Sequence, residues 1–161
     1  MRCSPGDEST IVELANSVWK QTFSKMLSPE RLEYLFSMMY DQSVLARQIL
    51  NPSNLFFLLR LDEAEVGYAQ LVFGFDYVKV EKLYVLPDTQ GKGGGLYLLN
   101  RIRQEALEKQ KYKLRLQVNR ANDKAIAFYV KYGFEIVRSE DFDVGGGHVM
   151  DDYVMELSIA E

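Results

Sequence analysis

The segment from residue 78 to residue 107 constrains the fold more than any other part of the chain. An apolar run that predicts a β-strand leads into a glycine-rich turn at residues 90–95, and an amphipathic helix follows. The first N–H groups of a helix have no acceptor within the helix, and the helix dipole favours negative charge there. Glycines let the backbone approach an anion closely, because they carry no Cβ atom. The segment therefore predicts an anion-binding site at the start of a helix.

The first 50 residues follow the period of helices. Apolar side chains recur there at intervals of three and four, and N-cap residues or prolines stand at the boundaries. The pattern predicts three helices: residues 10–21 with a capping box at Thr10 and Glu13, a helix that begins at Ser28-Pro29, and residues 42–50. Residues 1–6 give only a weak indication of a strand.

From residue 54 the period changes to that of strands. Apolar runs separated by polar turns predict a three-stranded meander over residues 55–61, 66–75 and 78–86. Residues 114–118 alternate as a fourth strand, and the helix before it has an apolar face of Leu96, Leu99, Ile102 and Ala106. Strand, helix and strand form a βαβ crossover, so these two strands are expected to be parallel.

The C-terminal part adds a helix and two strands. Asn122 is a good N-cap for a helix over residues 123–132. Residues 134–137 and 152–159 predict the last two strands, with a flexible glycine-rich loop at residues 143–148 between them. The order of the elements predicts an α/β sandwich built around a mixed sheet.

Length and composition limit the classes of function. A chain of 161 residues is expected to form one domain, residues 1–161. The net charge of −4 argues against a nucleic-acid-binding surface and leaves room for a cationic substrate. One histidine and one cysteine, far apart, argue against a zinc site, and the lone Cys3 suits a reducing compartment. Without a membrane-spanning run or a signal peptide, a cytoplasmic protein with no membrane partner is expected.

The glycine turn matches neither of the common nucleotide-binding patterns. A phosphate-binding loop requires Gly-x-x-x-x-Gly-Lys-Ser/Thr, whereas Lys92 precedes the glycine cluster and no serine or threonine follows it. A dinucleotide fingerprint requires Gly-x-Gly-x-x-Gly, and leucine stands at its third glycine position. The turn does fit Gln90-x-x-Gly93-x-Gly95, and so resembles the Q/R-x-x-G-x-G/A acyl-CoA site of the GNAT superfamily of N-acetyltransferases.

A second motif strengthens this resemblance. The run Asn122-x-x-Ala125-x-x-x-Tyr129, followed by Tyr-Gly-Phe at residues 132–134, looks like the family signature N-x-x-A-x-x-x-Y-x-x-x-G-F. Together the two motifs cover residues 66–137, whereas such families diverge in their N-terminal helices and in the region of residues 141–151. Within the family, the neighbourhood of residues 22–23 and the Asp-rich ending are similar to bacterial spermidine acetyltransferases of the PaiA type.

The resemblance implies a fold and a donor site. GNAT proteins have a mixed, mostly antiparallel twisted sheet with helices on both faces and a parallel central pair of strands that splay apart. The pantetheine arm of acetyl-CoA would lie between the splayed strands, along Leu83, Tyr84 and Val85. The pyrophosphate would lie on the backbone amides of Gln90, Gly91, Lys92, Gly93, Gly94 and Gly95, with added charge from Lys92. From the residues alone, the alternative for residues 83–85 is ordinary sheet pairing, and the alternative for residues 90–95 is a plain tight turn.

The family chemistry also assigns roles to three further residues. Tyr129 would protonate the departing CoA thiolate, with a core aromatic residue as the alternative. Asn122 would contact the pantetheine or phosphate region, with a simple N-cap as the alternative. Glu81 is the first candidate for the base that takes the amine proton, directly or through water, and a solvated strand carboxylate is the alternative.

The acceptor side is not identified by the sequence. His148, the single histidine, is a residue type that often serves as a base, but it stands in the glycine loop. Asp151 and Asp152 are interpreted as a solvated turn rather than a site for a polycation. The chain is expected to move an acetyl group from acetyl-CoA to a primary amine of a small molecule, such as a polyamine, or of a peptide. The alternative is a non-catalytic acyl-CoA-binding sensor on the same fold. Because family members are often dimers, the resemblance also includes a homodimer among the expected assemblies.

Overall fold

The computed structural model describes residues 1–159, which form five α-helices and six β-strands. In chain order these are α1 (Glu8–Phe23), α2 (Pro29–Met39), α3 (Gln42–Leu50), β1 (Asn54–Leu61), β2 (Ala64–Phe73), β3 (Val78–Val85), α4 (Gly94–Glu108), β4 (Lys113–Asn119), α5 (Asp123–Tyr132), β5 (Glu135–Gly145) and β6 (His148–Ser158). A short 3-10 turn, Pro87–Thr89, joins β3 to the glycine turn. In residues 1–159 no helix combines the length and the apolar character that a membrane span requires.

The N-terminal helices begin where local capping groups allow them to. The Ser28 hydroxyl accepts a hydrogen bond from Arg31 N–H at 3.3 Å, and Asp41 caps α3 in the same way. The predicted capping box at Thr10 and Glu13 is wrong, because α1 already begins at Glu8 and both residues lie inside it. A turn closed by the hydrogen bond from Ser4 N–H to the Asp7 carboxylate starts the helix earlier.

The six strands form one sheet in the order β1-β2-β3-β4-β6-β5. Neighbouring strands are antiparallel except for β3 and β4, which are parallel. The prediction of a mixed, mostly antiparallel sheet with one parallel central pair is confirmed. Residues 1–6 add no strand, only an isolated bridge between Arg2 and Phe57 at the β1 edge.

The last two strands are much longer than predicted. β5 and β6 contain 11 residues each and meet at a tight turn in which Gly145, Gly146 and Gly147 all have positive φ. The flexible loop predicted over this region is therefore wrong. β5 is an edge strand exposed along most of its length, so its sequence lacks the alternation of apolar and polar residues that predicts a strand.

Two hydrophobic clusters cover the two faces of the sheet, with helices on both sides as expected. α1, α2 and α3 pack on one face around Ile11, Trp19, Leu35, Leu45 and Tyr68. α4 and α5 pack on the other face around Val80, Leu99, Ile102, Leu116 and Tyr129. One predicted core residue of α4 is wrong: Leu96 is 47% exposed, and Leu98 is buried instead.

Buried polar groups join the N-terminal helices to the sheet. The Trp19 indole N–H donates to the Tyr40 hydroxyl at 3.0 Å, and that hydroxyl lies 2.7 Å from the Tyr68 hydroxyl. Next to them, the buried Lys82 ammonium donates to the Gln70 side-chain oxygen at 2.6 Å. Burial lowers the pKa of Lys82 to about 8. Because each of these groups would be costly to leave unpaired, the network fixes how α1 and the end of α2 approach β2 and β3.

We predict that Tyr40→Phe lowers the free energy of unfolding by about 1–2 kcal/mol, because it removes the hydroxyl that joins the buried Trp19 N–H to the Tyr68 hydroxyl. Urea denaturation at neutral pH measures the change. Tyr97→Phe is the control, since Tyr97 is 64% exposed and its hydroxyl can bond to water. Equal stability of the two variants would contradict a structural role for the network.

Candidate active site

The central parallel strands separate at a β-bulge in β3. Gln70 of β2 is paired with Lys82, and the next residue, Leu71, is paired with Val80, which leaves Glu81 as an extra residue in β3. Such a bulge bends its strand and increases the local twist. The pairing of β3 with β4 ends at the same point, at Val80 and Leu116. A gap therefore opens between the two strands from Glu81 onward.

Backbone N–H groups of β3 point into this gap. Leu86 N–H donates to the Val66 carbonyl oxygen at 2.8 Å, so these two residues form a hydrogen-bonded antiparallel pair. The adjacent pair, Val85 and Gly67, is then of the non-hydrogen-bonded kind, and Val85 faces away from β2. By the same alternation Leu83 N–H also points toward β4. Ordinary sheet pairing with β4, the alternative for these N–H groups, does not extend past Val80, although the pairing of β3 with β2 continues to Val85.

The glycine turn forms an open cradle at the start of α4. Gly93 is the N-cap and adopts the left-handed conformation, with φ of 83°. Tyr97 N–H donates to the Gly93 carbonyl at 2.9 Å, which leaves the N–H groups of residues 94–96 without an acceptor in the helix. A Cβ atom on Gly91 or Gly93 would have no neighbour within 4 Å. The open side of the turn can therefore receive an anion directly on the backbone.

The polar side chains around the turn are placed differently from what the sequence suggests. Gln90 donates from its amide to the Val85 carbonyl oxygen at 3.1 Å and accepts a hydrogen bond from the Lys124 ammonium. It therefore ties the end of β3 to the start of α5. Lys92 faces a neighbouring groove beside Arg60, whereas Lys124 lines the cavity beside the turn. Sequence reasoning missed Lys124, although it lies between Asn122 and Ala125 of the second motif.

A cavity of about 330 Å³ runs from the turn into the gap. It is lined by every residue predicted for the donor site except Lys92. These are Leu83, Tyr84, Val85, Gln90, Gly91, Gly93, Gly94, Gly95, Asn122 and Tyr129. Asn122 keeps its capping role as well, since its side-chain oxygen accepts a hydrogen bond from Ala125 N–H at 3.3 Å.

A second cavity of about 140 Å³ lies on the other side of the gap, beneath α1 and α2. Glu81 and Asp152 line it, together with aromatic and methionine side chains of the N-terminal helices and β6. The two cavities share walls formed by Leu83, Tyr84, Asn122, Ala125 and Tyr129. A ligand in the gap between β3 and β4 would therefore be accessible from both sides of the sheet.

Tyr129 lies in the wall between the two cavities. Its ring packs edge-on against Phe128 and Phe134, with centroids 5.3 and 5.5 Å away, so it is a core residue. Within residues 1–159, however, no side chain or backbone group is hydrogen-bonded to its hydroxyl. Burial raises the pKa of Tyr129 above its ordinary value, which keeps the phenol protonated at neutral pH. Tyr129 is thus a core residue whose protonated hydroxyl is also compatible with the role of proton donor.

Tyr84 stands among the ionisable groups of the site. Burial raises its pKa well above the ordinary value, and Tyr40, Tyr129, Glu81 and Asp152 add to that shift. The Tyr84 phenol therefore stays neutral, and it lines the second cavity together with both carboxylates. Sequence analysis gave Tyr84 only a backbone role, because its neighbours come from distant parts of the chain.

Glu81 is held by a cation on its own strand. The Lys79 ammonium lies 2.8 Å from the Glu81 carboxylate and also donates to the Gln117 side-chain oxygen at 2.8 Å. Both partners of the ion pair are about a third exposed. Glu81 is thus at the bulge, where a base would be needed, but it is already paired with a lysine.

Asp152 corrects a prediction. Asp151 is exposed and paired with Arg120, as expected for a solvated residue, but the next residue on β6 points to the opposite face. Asp152 is 2% exposed, and its Oδ1 has no hydrogen-bond partner among residues 1–159. Burial raises its pKa to about 6, while Lys79 and Arg120 oppose the shift. The interpretation as a solvated turn is therefore wrong for Asp152.

His148 lies away from both cavities. Its ring stacks on Tyr34 of α2, with centroids 4.5 Å apart, and the two residues line a shallow depression on the outside of the protein. The Tyr34 hydroxyl donates to the Val144 carbonyl at 2.7 Å, so this contact joins α2 to the β5–β6 hairpin. The geometry does not favour His148 as a base.

Comparisons with known proteins agree with the geometry. The profile of the Acetyltransferase (GNAT) family matches residues 13–134. An uncharacterized N-acetyltransferase of Mycobacterium tuberculosis is 32% identical over 130 residues, which are 80% of this chain and 83% of the relative. The spermidine N(1)-acetyltransferase of Thermoplasma acidophilum is 27% identical over 154 residues, which are 93% of this chain and 90% of the relative.

A solved structure shows the same architecture. The crystal structure of the PaiA N-acetyltransferase from Thermoplasma acidophilum, in complex with coenzyme A, matches with a TM-score of 0.85 and 27% identity. The match covers 98% of this chain and 96% of that one. The expected resemblance, fold and co-substrate are confirmed, and the protein belongs to the GNAT family of acetyl-CoA-dependent N-acetyltransferases.

Proposed function

We propose that this enzyme acetylates a primary aliphatic amine of the polyamine type by direct attack within a ternary complex. The observation that carries the proposal is the meeting of two cavities at the gap between β3 and β4. One cavity is bordered by the glycine turn and suits the donor. The other contains two carboxylates and aromatic side chains and suits an organic cation.

The donor side is built largely from backbone groups. Acetyl-CoA supplies the acetyl group as a reactive thioester. The N–H groups of Leu83 and Val85 donate to the pantetheine arm and to the thioester carbonyl, where negative charge develops during attack. A donor of this kind contributes about 3–4 kcal/mol to catalysis. The free N–H groups at the start of α4 hold the pyrophosphate, and Lys124 adds positive charge beside it.

The acceptor class follows from the second cavity and from a relative. Two carboxylates, a net charge of −4 and an apolar wall favour a cation with an aliphatic body. A relative with 27% identity over 93% of this chain is a spermidine N(1)-acetyltransferase. A small polyamine satisfies both observations better than a peptide N-terminus does, because a peptide would place polar amide groups against the aromatic side chains.

The reaction requires two proton movements. An alkylamine with a pKa near 10.4 must lose a proton before or during attack, and Glu81 accepts that proton directly or through water. The amine nitrogen then forms a bond to the acetyl carbon, and the carbon–sulfur bond breaks. Tyr129 donates its proton to the leaving sulfur and regains one from solvent. Because the phenol is a weaker acid than the thiol, this step depends on the position of Tyr129 rather than on its acidity.

An assay of CoA release tests the proposed function. We expect turnover of acetyl-CoA with spermidine and short diamines, and weaker turnover with amino acids and aminoglycosides, whose polar bodies do not match the apolar wall. Mass spectrometry of the product identifies the acetylated nitrogen. Tight binding of acetyl-CoA without turnover on any amine would contradict the proposal.

Tyr129→Phe tests the acid. We predict a decrease in kcat of about 100-fold with little change in the affinity for acetyl-CoA, because only the proton donor is lost. Tyr132→Phe is a matched control on the same helix, since its hydroxyl donates to the Asn100 side chain on the exposed side. An unchanged kcat for Tyr129→Phe would remove the assignment of the acid.

Gly93→Ala tests the anion cradle. A positive φ costs an alanine about 1–2 kcal/mol, and the new Cβ projects into the open side of the turn. We therefore predict that acetyl-CoA binds about tenfold more weakly, as measured by calorimetry. Gly6→Ala is the control, because Gly6 also has positive φ and open surroundings but lies in the N-terminal turn. An equal loss of affinity in both variants, or none in Gly93→Ala, would contradict the placement.

A further inference from the structure

We propose that Asp152 binds a second ammonium group of the acceptor, the one that is not acetylated, and so makes the enzyme selective for short aliphatic diamines and polyamines. The inference rests on the proposed function and adds a specificity residue to it. Asp152 would not touch the reacting nitrogen; it would hold the opposite end of the molecule.

The first argument is that Asp152 lacks a partner. It is 2% exposed, lines the second cavity, and its Oδ1 has no hydrogen bond among residues 1–159. A buried carboxylate without a partner is costly. An ammonium group in the cavity would supply the missing donor and compensate the charge.

The second argument is that the charged neighbours of Asp152 are already engaged. Lys79 is paired with Glu81 at 2.8 Å, and Arg120 is paired with Asp151. On the adjacent edge strand, Glu140 is paired with Arg138 at 2.9 Å. Asp152 therefore remains the cavity carboxylate without a bound cation among the described residues. Since its pKa is about 6, it is mostly ionised at neutral pH and available for an ammonium.

The third argument is distance. β4 lies between β3 and β6, so two strand spacings place the backbones of Glu81 and Asp152 at least about 10 Å apart. Glu81 is at the gap, where the reacting nitrogen must lie, and Asp152 is on the far side of β4. Both side chains stand roughly perpendicular to the sheet and line the same cavity, so the carboxylates keep about this separation, and a hydrogen bond at each end covers part of it. A short carbon chain between two nitrogens fits the remainder.

The fourth argument is the aromatic wall of the second cavity, which contains both Glu81 and Asp152. Trp19, Phe23 and Tyr84 form an aromatic group, with ring centroids 4.7 to 6.3 Å apart. All three line the cavity that contains both carboxylates. Such rings pack against methylene groups and also attract cations with their faces. The cavity thus provides an apolar middle between the Lys79–Glu81 ion pair at one end and the Asp152 carboxylate, unpaired among the described residues, at the other.

The experiment compares amines that differ only in the second ammonium group. Butylamine and 1,4-diaminobutane, and propylamine and 1,3-diaminopropane, are assayed with wild type, Asp152→Asn and Asp151→Asn at pH 7.5. We expect wild type to prefer each diamine by about 10- to 100-fold in kcat/KM, the effect of one hydrogen bond to a charged group. Asp152→Asn should lose this preference, because its kcat/KM should fall much more for each diamine than for the matching monoamine. Asp151→Asn, which changes the exposed neighbouring residue, should keep the preference.

Binding provides a second measurement that needs no variant. With CoA bound, calorimetry on wild type should show tighter binding of 1,4-diaminobutane than of butylamine. Equal use of monoamines and diamines by wild type, or an unchanged preference in Asp152→Asn, would overturn the inference and leave the proposed function standing. An equal decrease in kcat/KM for the monoamine and the diamine in Asp152→Asn, with unchanged acetyl-CoA affinity, would also overturn it. Asp152 would then act on the reacting nitrogen. No turnover of any amine by wild type would overturn both.

Discussion

The interruption of sheet pairing at Glu81 is the feature on which the rest of the site depends. One extra residue in β3 ends the parallel pairing with β4 after Val80 and turns two backbone N–H groups toward an open gap. Leaving such groups unpaired in a sheet costs about 1–3 kcal/mol each if they are buried. An extended ligand that takes the place of the missing strand recovers these hydrogen bonds. Under the proposed function, the sheet thus gives up some stability so that acetyl-CoA can bind in the gap.

The two sides of the gap are built by different means. The proposed donor side uses backbone amides of β3 and the glycine turn, and its geometry depends on strand register and on Gly93. The proposed acceptor side uses side chains from α1, α2, β3 and β6. Its aromatic wall is held in place by the buried network of Trp19, Tyr40 and Tyr68. The two sides are nevertheless joined, because Val18 and Thr22 of α1 line the first cavity and Trp19 and Phe23 of the same helix line the second.

The sequence was sufficient for the local parts of this site. The glycine turn, the Asn122 cap and the position of Tyr129 depend on residues close together in the chain, and the structure brings all three to one cavity. The bulge at Glu81 depends on register between strands, which no single segment encodes. Asp152 was misjudged because it stands at the start of the predicted last strand, next to the exposed β5 and the more polar first half of β6, which together resembled a loop. Its burial follows from pairing with β4, far away in sequence.

Amide hydrogen exchange of β3, followed by NMR with and without CoA, tests the central claim most directly. If the pantetheine arm takes the place of a strand, the N–H groups of Leu83 and Val85 should exchange much more slowly when CoA is bound. Tyr84 N–H belongs to a hydrogen-bonded pair with β2 and should already be protected without it. Unchanged exchange at Leu83 and Val85 in the presence of saturating CoA would contradict the account.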